Sequence, residues 1–453
     1  MECWRTDGCG KDTGVRGYGA SAGIPATDGA CALAPAMAPK PTPEPASAPA
    51  AFAPIPVCRE GIGSLQRSMT PRPVIDAGFA SFGGAEMDFK TASCVIEAAT
   101  RLAQSGLYGY TLPTDGYLEA ITWWMANARD WDIDPAWIVP AQGTIFSVAA
   151  IIRMATNPGD AIITQTPVYY RYEQAATRLG RRTVHNELRL VGDHYEIDFD
   201  GLERLMADPA NKVLVICNPH NPIGRVWSAD DLARIGEMAQ ATGTIVVSDE
   251  IFAEMTFDGH RTTPLVSLPQ CRSCGITLTS LGKTFGLTGL NNANAIIADP
   301  ELRARFTTQR TADHFGSIDP LAYACVKGAY CPEGLAWVRG ARDYIAQNRA
   351  IVADTLQREL SPVRLLPTEG TFVGWIEWRE LGLAGEELER FLMQEALLVL
   401  EPGEEYGAGC ERFSRINLAS THEQTRAAMG RLVRAVARLR SGGPHGTLTN
   451  DEA

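Results

Sequence analysis

The chain has 453 residues, 45% of them hydrophobic and 21% charged, the make-up of a globular protein long enough for two or three domains. Its 41 Lys and Arg stand against 53 Asp and Glu, a formal net charge of −12, which argues against a general nucleic-acid or membrane-surface partner. No apolar run approaches the ~20 residues that cross a bilayer, and the amino terminus lacks a basic stretch leading into an apolar core. The eleven cysteines are odd in number and scattered, so a reduced, cytoplasmic setting is expected. Cys271 and Cys274 form a Cys-x-x-Cys pair with no second pair at zinc-ribbon spacing, which reads as two thiols in a loop and no metal site.

Residues 1–56 are rich in Ala, Pro and Gly, as in Pro41-Thr42-Pro43-Glu44-Pro45, and are expected to be disordered, as is the tail 441–453. Between them, β-branched apolar runs predict buried strands at 161–164, 213–216, 244–247, 276–278 and 295–297. The stretch from Ser228 has helical spacing, with Ser228 as N-cap and Asp231 at the third helical position. Strand-helix alternation implies an α/β core with a largely parallel sheet, and such sheets bind ligands beyond the carboxyl ends of their strands.

Polar residues gather at those ends. The strand at 213–216 runs into Asn218-Pro219-His220-Asn221-Pro222, the strand at 244–247 ends in Ser248-Asp249-Glu250, and the strand at 276–278 leads to Ser280 and Lys283. Singly, these are turn, cap and surface residues. Together, an asparagine, an aspartate and a lysine reach one edge in chain order. Gly282-Lys283-Thr284 is no phosphate loop of the Walker type, because the glycine needed five residues before Gly282 is Thr277.

These residues resemble the fold-type-I pyridoxal-phosphate enzymes of the class I/II aminotransferase family, in particular its cystathionine β-lyase-like (cysteine C–S lyase) branch. The resemblance spans about residues 60 to 440. It rests on Glu86-Met87-Asp88-Phe89, Tyr108-Gly109-Tyr110, Gln142-Gly143-Thr144, Thr166-Pro167-Val168-Tyr169, Asn218 to Gly224, Ser248-Asp249-Glu250-Ile251, Ser280-x-x-Lys283 and Arg415-Ile416-Asn417. It implies an N-terminal segment at 57–92 packing with the small domain, a large cofactor-binding domain at 93–325 and a small α/β C-terminal domain at 326–440.

It also implies roles. Lys283 would hold pyridoxal 5'-phosphate as a Schiff base and, once released, remove the substrate's α-proton. Asp249 would pair with the pyridine nitrogen, Asn221 would bond the phenolic oxygen and Tyr169 would stack on the ring. Gly143, Thr144 and Ile145, at a helix start, would hold the phosphate with Ser280. Tyr110 would reach the phosphate in a neighbouring subunit, which implies a homodimer with shared sites. Arg415 would clamp the α-carboxylate of an amino-acid substrate.

Two positions depart from the family pattern, and a third, Asn291, is as expected for the lyase branch. Phe252 stands where a tyrosine or histidine usually contacts the phenolic oxygen. Gly286 stands where related lyases often have asparagine, and Asn291 where aspartate aminotransferases carry a phosphate-binding arginine. The expected reaction is β-elimination from an S-substituted cysteine, with relatives in antibiotic pathways, lincosamide assembly among them, that process bulky S-cysteinyl intermediates. Decarboxylation coupled to oxidative deamination, transamination and a regulatory role that keeps the fold stand as alternatives.

Overall fold

The computed structural model describes residues 52–441. Thirteen strands occur among them: β1 (Ile138–Ala141), β2 (Ala161–Thr164), β3 (Arg182–His185), β4 (Arg189–Val191), β5 (His194–Glu196), β6 (Asn211–Cys217), β7 (Ile245–Asp249), β8 (Gly275–Thr279), β9 (Ala293–Ile296), β10 (Arg364–Leu365), β11 (Val373–Glu377), β12 (Glu401–Pro402) and β13 (Phe413–Asn417). Seven form the central sheet in the order β1-β9-β8-β7-β6-β2-β3. Only β9 runs against its neighbours, and every other contact in the sheet is parallel. The expected, largely parallel α/β sheet is present, and the run read at 295–297 is its one antiparallel strand.

Successive residues of β6 supply opposite layers. Val213 and Val215 pack with the helices Thr144–Ala155 and Pro300–Ala312, whereas Leu214 and Ile216 pack with Phe199–Met206 and Ala229–Thr242. Both faces are thus covered, which is why these strands read as unbroken apolar runs. The helix Ala229–Thr242 opens with a full capping box between Ser228 and Asp231. A second, antiparallel sheet has the order β10-β11-β13-β12, with Arg415 at the middle of β13 between Trp375 and Glu401.

The described residues at both ends of the chain are tied to the fold. Phe52 packs edge-on against Phe89 and Trp337, and Pro56 bridges to Phe89, so aromatic contacts tie this segment to the fold. At the other end the helix His422–Arg440 is capped by Ser441, whose N–H donates to Ala437. The remaining residues of both expected disordered segments, 1–51 and 442–453, lie outside the described ones. Between these ends, residues 82–88 lie against the second sheet. Phe82 exchanges backbone hydrogen bonds with Val399 and Asn417, and Asp88 donates to Ala419. Among the described residues, no helix is long and apolar enough to cross a membrane.

Candidate active site

Strand order decides where the chemistry gathers. β6, β7 and β8 are parallel neighbours, with Cys217 beside Asp249 and Asp249 beside Leu278. The loop with Asn221, the carboxylate of Asp249 and the short helix Leu281–Thr284 with Lys283 therefore emerge side by side. Sequence separations of 28 and 34 residues between the three become adjacency at one sheet edge.

Asp249 is buried at the end of β7. Its Oδ2 accepts from the Tyr172 hydroxyl at 2.6 Å, and its Oδ1 accepts from the Ile251 N–H at 3.3 Å. Burial pushes its pKa up to about 6, against the pull of those two donors and of the Lys283 charge. Lys283 is partly buried, and its Nζ donates to the Ala85 carbonyl at 2.6 Å. Burial and the nearby Arg415 charge bring its pKa down to about 8, although Glu86, Glu401 and Asp249 oppose the shift. A lysine amine in that range is partly neutral near pH 7, and only the neutral amine is a nucleophile or a base.

Arg415 reaches the same space from the second sheet. Its side chain is 4% exposed, Nη1 donates to Asn221 Oδ1 at 2.9 Å, and its guanidinium lies 5.2 Å over the Tyr406 ring. Nη2 forms an ion pair with Glu401. Asn221 belongs to a loop with cis bonds at Asn218-Pro219 and Asn221-Pro222. That loop is tied through His220 Nε2 to the Pro167 carbonyl at 2.9 Å. Burial brings the His220 pKa down to about 4, so the ring is neutral at pH 7 and Nε2–H is the donor. The same Pro167 leads to Tyr169, whose ring meets Tyr172 edge-on at 5.8 Å. Asn218 is structural: its side chain accepts from Trp227 N–H and donates to Thr263.

The helix Thr144–Ala155 starts at Gly143 with no side chain capping it, which leaves the backbone N–H groups of its first turn open to an anion. Ser280 stands at the start of the helix Leu281–Thr284. Its hydroxyl donates to the Asn292 carbonyl at 2.7 Å and caps Gly282, so its proton is already committed. Tyr110 is fully exposed, in a strip with Leu107, Tyr108 and Leu112, and joins none of the other site residues. Phe252 is buried, edge-on to Phe372 at 5.1 Å, and its ring lies 5.8 Å from Lys283 Nζ. Gly286 has φ +68° with Met87 close to where a Cβ would sit, a backbone that glycine and asparagine adopt most readily. Cys271 and Cys274 are buried between the helix Ala229–Thr242 and the segment after it, each bonded through sulfur to backbone carbonyls.

Several residues of this site were not singled out from the sequence. Tyr172 sits three residues after Tyr169, its N–H donating to the Tyr169 carbonyl as the helix Arg171–Arg178 begins, and that short spacing was a readable signal. Glu401, Tyr406 and the segment Gly84-Ala85 had none, because each meets the site only through distant chain crossings. The same holds for a buried ion cluster behind it. Arg129 pairs with Glu250 at 3.0 Å and Glu254 at 2.8 Å, and Glu254 also accepts from Trp124 and from Thr284, the residue after Lys283.

The model of a family described as aminotransferase class I and II matches residues 79–432. Cystathionine beta-lyase PatB of Bacillus subtilis is 32% identical over 334 residues, covering 74% of this chain and 86% of that protein. Protein MalY of Escherichia coli is 27% identical over 366 residues, covering 80% and 93%. The crystal structure of cystalysin from Treponema denticola, which contains a pyridoxal 5'-phosphate cofactor, superposes with a TM-score of 0.81 at 31% identity, over 86% of this chain and 99% of that one. The two sheets, the edge on which Asn221, Asp249 and Lys283 meet, and these matches together place the chain in the aminotransferase class I and II family, with the fold-type-I architecture of pyridoxal-phosphate enzymes.

Proposed function

We propose that the protein is a pyridoxal 5'-phosphate-dependent C–S lyase that takes an S-substituted L-cysteine and water to a thiol, pyruvate and ammonia. The observation that carries this reading is the meeting of a lysine of lowered pKa just past β8, a buried aspartate of raised pKa at the end of β7 and a buried arginine at the middle of β13. The residues fit the cofactor. Gly143, Thr144 and Ile145 offer uncapped N–H groups to its phosphate, Asp249 offers a buried carboxylate to its pyridinium, and Tyr169 offers a ring face. Asn221 is the side chain assigned to its phenolic oxygen, with no help from Phe252. Bound there, the cofactor supplies an electron sink for the carbanion formed at Cα.

The chain's own residues do the rest. Asp249 would keep a positive charge at the ring nitrogen, and the Tyr172 hydroxyl on Oδ2 and the Ile251 N–H on Oδ1 hold its carboxylate in one orientation. Lys283 takes the α-proton. The Cβ–S bond then breaks, with its electron pair leaving on sulfur as the thiolate, which is protonated to the thiol. Arg415 and Asn221 orient the substrate by its carboxylate. Tyr110 completes the phosphate site of a second copy in a homodimer, and the exposed strip Leu107, Tyr108, Tyr110, Leu112 supports that assignment.

The test is product analysis with a panel of S-substituted cysteines. Equal amounts of pyruvate and thiol are expected, and neither from Lys283→Ala. Carbon dioxide with sulfur retained, or amino-group transfer to a keto acid, would replace this reading with decarboxylation or transamination.

A further inference from the structure

The arginine assigned to the substrate's carboxylate already holds one. Glu401 lies directly across from Arg415 in the β12–β13 register. Its Oε2 takes the Arg415 Nη2 ion pair and the Tyr406 hydroxyl, and its Oε1 accepts the Gly84 backbone N–H at 2.6 Å. A guanidinium, a hydroxyl and a backbone N–H around two carboxylate oxygens is the donor set that would receive an amino acid's α-carboxylate. Burial would raise the Glu401 pKa, but the Arg415 charge, the Tyr406 hydroxyl and the Gly84 N–H outweigh it and hold the group ionised. Its side chain is 23% exposed against 4% for Arg415, so Glu401 is the partner with room to move.

An incoming carboxylate cannot ignore this pair. Two carboxylates on one guanidinium repel each other across a few ångströms in a poorly solvated site, and the second finds Arg415 already largely neutralised. Resting on the assignment of Arg415 as the carboxylate clamp, we propose that Glu401 is a specificity-determining residue: it occupies the clamp in the free enzyme, and the substrate's α-carboxylate binds in competition with it. The enzyme thereby spends part of its carboxylate affinity on displacing its own side chain. Discrimination between an amino acid and the matching amine is compressed, and the remainder of the substrate carries more of the recognition.

The test uses holoenzyme and a matched pair of ligands without a β-leaving group, L-methionine and 3-(methylthio)propylamine, which differ only in the carboxylate. Binding is followed by the change in the cofactor's absorption. Glu401→Gln keeps the volume and one acceptor oxygen, and removes the charge. It should bind L-methionine about tenfold tighter, the size of one charge-assisted hydrogen bond regained, while the amine changes by less than about twofold. Glu401→Asp, which retracts the carboxylate by one methylene, should move in the same direction and decides the matter if the glutamine variant does not fold. Unchanged or weaker binding of L-methionine, or an equal shift for both ligands, overturns the proposal. Arg415→Ala tests the clamp separately. If it binds both ligands as the wild type does, the assignment of Arg415 fails on its own account, whatever the Glu401 variants do.

Discussion

At the scale of single residues, the site is built from charges held where folding alone would not keep them. Asp249 is the clearest instance. An ordinary aspartate titrates near 3.8, and burial raises this one to about 6. The folded protein without cofactor therefore binds the proton more tightly than the unfolded chain does. Stability is greatest below pH 3.8 as far as this group is concerned, falls as pH rises between 3.8 and 6, and stays lower above that. Asp249→Asn should thus stabilise the cofactor-free protein at pH 7 by up to about 3 kcal/mol, a gain that shrinks to nothing as the pH is lowered towards 4. Urea unfolding at several pH values measures it, and a variant less stable at pH 7 than the wild type would contradict it. The same substitution should remove most activity, because the cost is the one a site bears to keep a carboxylate for a pyridinium. Phe252 has no such explanation in chemistry. Its edge-on packing with Phe372 shows what it does for the core, and its ring has no donor to offer a cofactor oxygen.

Between elements, the buried cluster of Arg129, Glu250 and Glu254 joins three pieces of chain that carry the site. Arg129 ends the helix Asp115–Arg129, Glu250 follows Asp249, and Glu254 holds the hydroxyl of Thr284 beside Lys283. Burial pushes Glu250 up to about 7 even with Arg129 pulling it down. Replacing Arg129 with Met leaves two carboxylates without their cation in the core, and should cost about 3–5 kcal/mol of stability in urea unfolding. A loss below about 1 kcal/mol would show that the cluster relaxes or hydrates without it. The element scale also shows where reading the sequence succeeded. β6, β7 and β8 were legible because each is buried on both faces and so spelled as an apolar run, and the capping box at Ser228 and Asp231 was legible because its partners are three residues apart. Phe52 was not, since an Ala/Pro-rich stretch gives no local sign that one aromatic will dock on Phe89 and Trp337.

For the molecule as a whole, the strip Leu107, Tyr108, Tyr110 and Leu112 leaves large apolar side chains in water, and Tyr110 stands apart from the other residues assigned to the cofactor. The proposed shared-site homodimer would account for both. It makes a specific expectation: Lys283→Ala and Tyr110→Ala proteins, each inactive, should regain activity when mixed and allowed to exchange subunits. A mixed dimer has one site with both defects and one with none, so an equal mixture should reach about a quarter of wild-type turnover. No recovery, with subunit exchange confirmed, would mean that Tyr110 serves its own subunit's site or none.

The sequence by itself determined which groups are available and on which strands or strand ends they stand. Apolar periodicity is local, and residues such as Asn221, Asp249, Lys283 and Arg415 carry chemistry whatever surrounds them. Only the tertiary structure decided what each group faces. Tyr172 on Asp249, the Ala85 carbonyl on Lys283, and Glu401 on Arg415 depend on strand register and on the path of distant segments. The Gly84 N–H that completes the Glu401 site comes from 317 residues away. Such contacts have no period and no spacing to read. They exist because burial in a common core makes each polar group find a partner among whatever the fold brings near, and the pKa values follow from those partners.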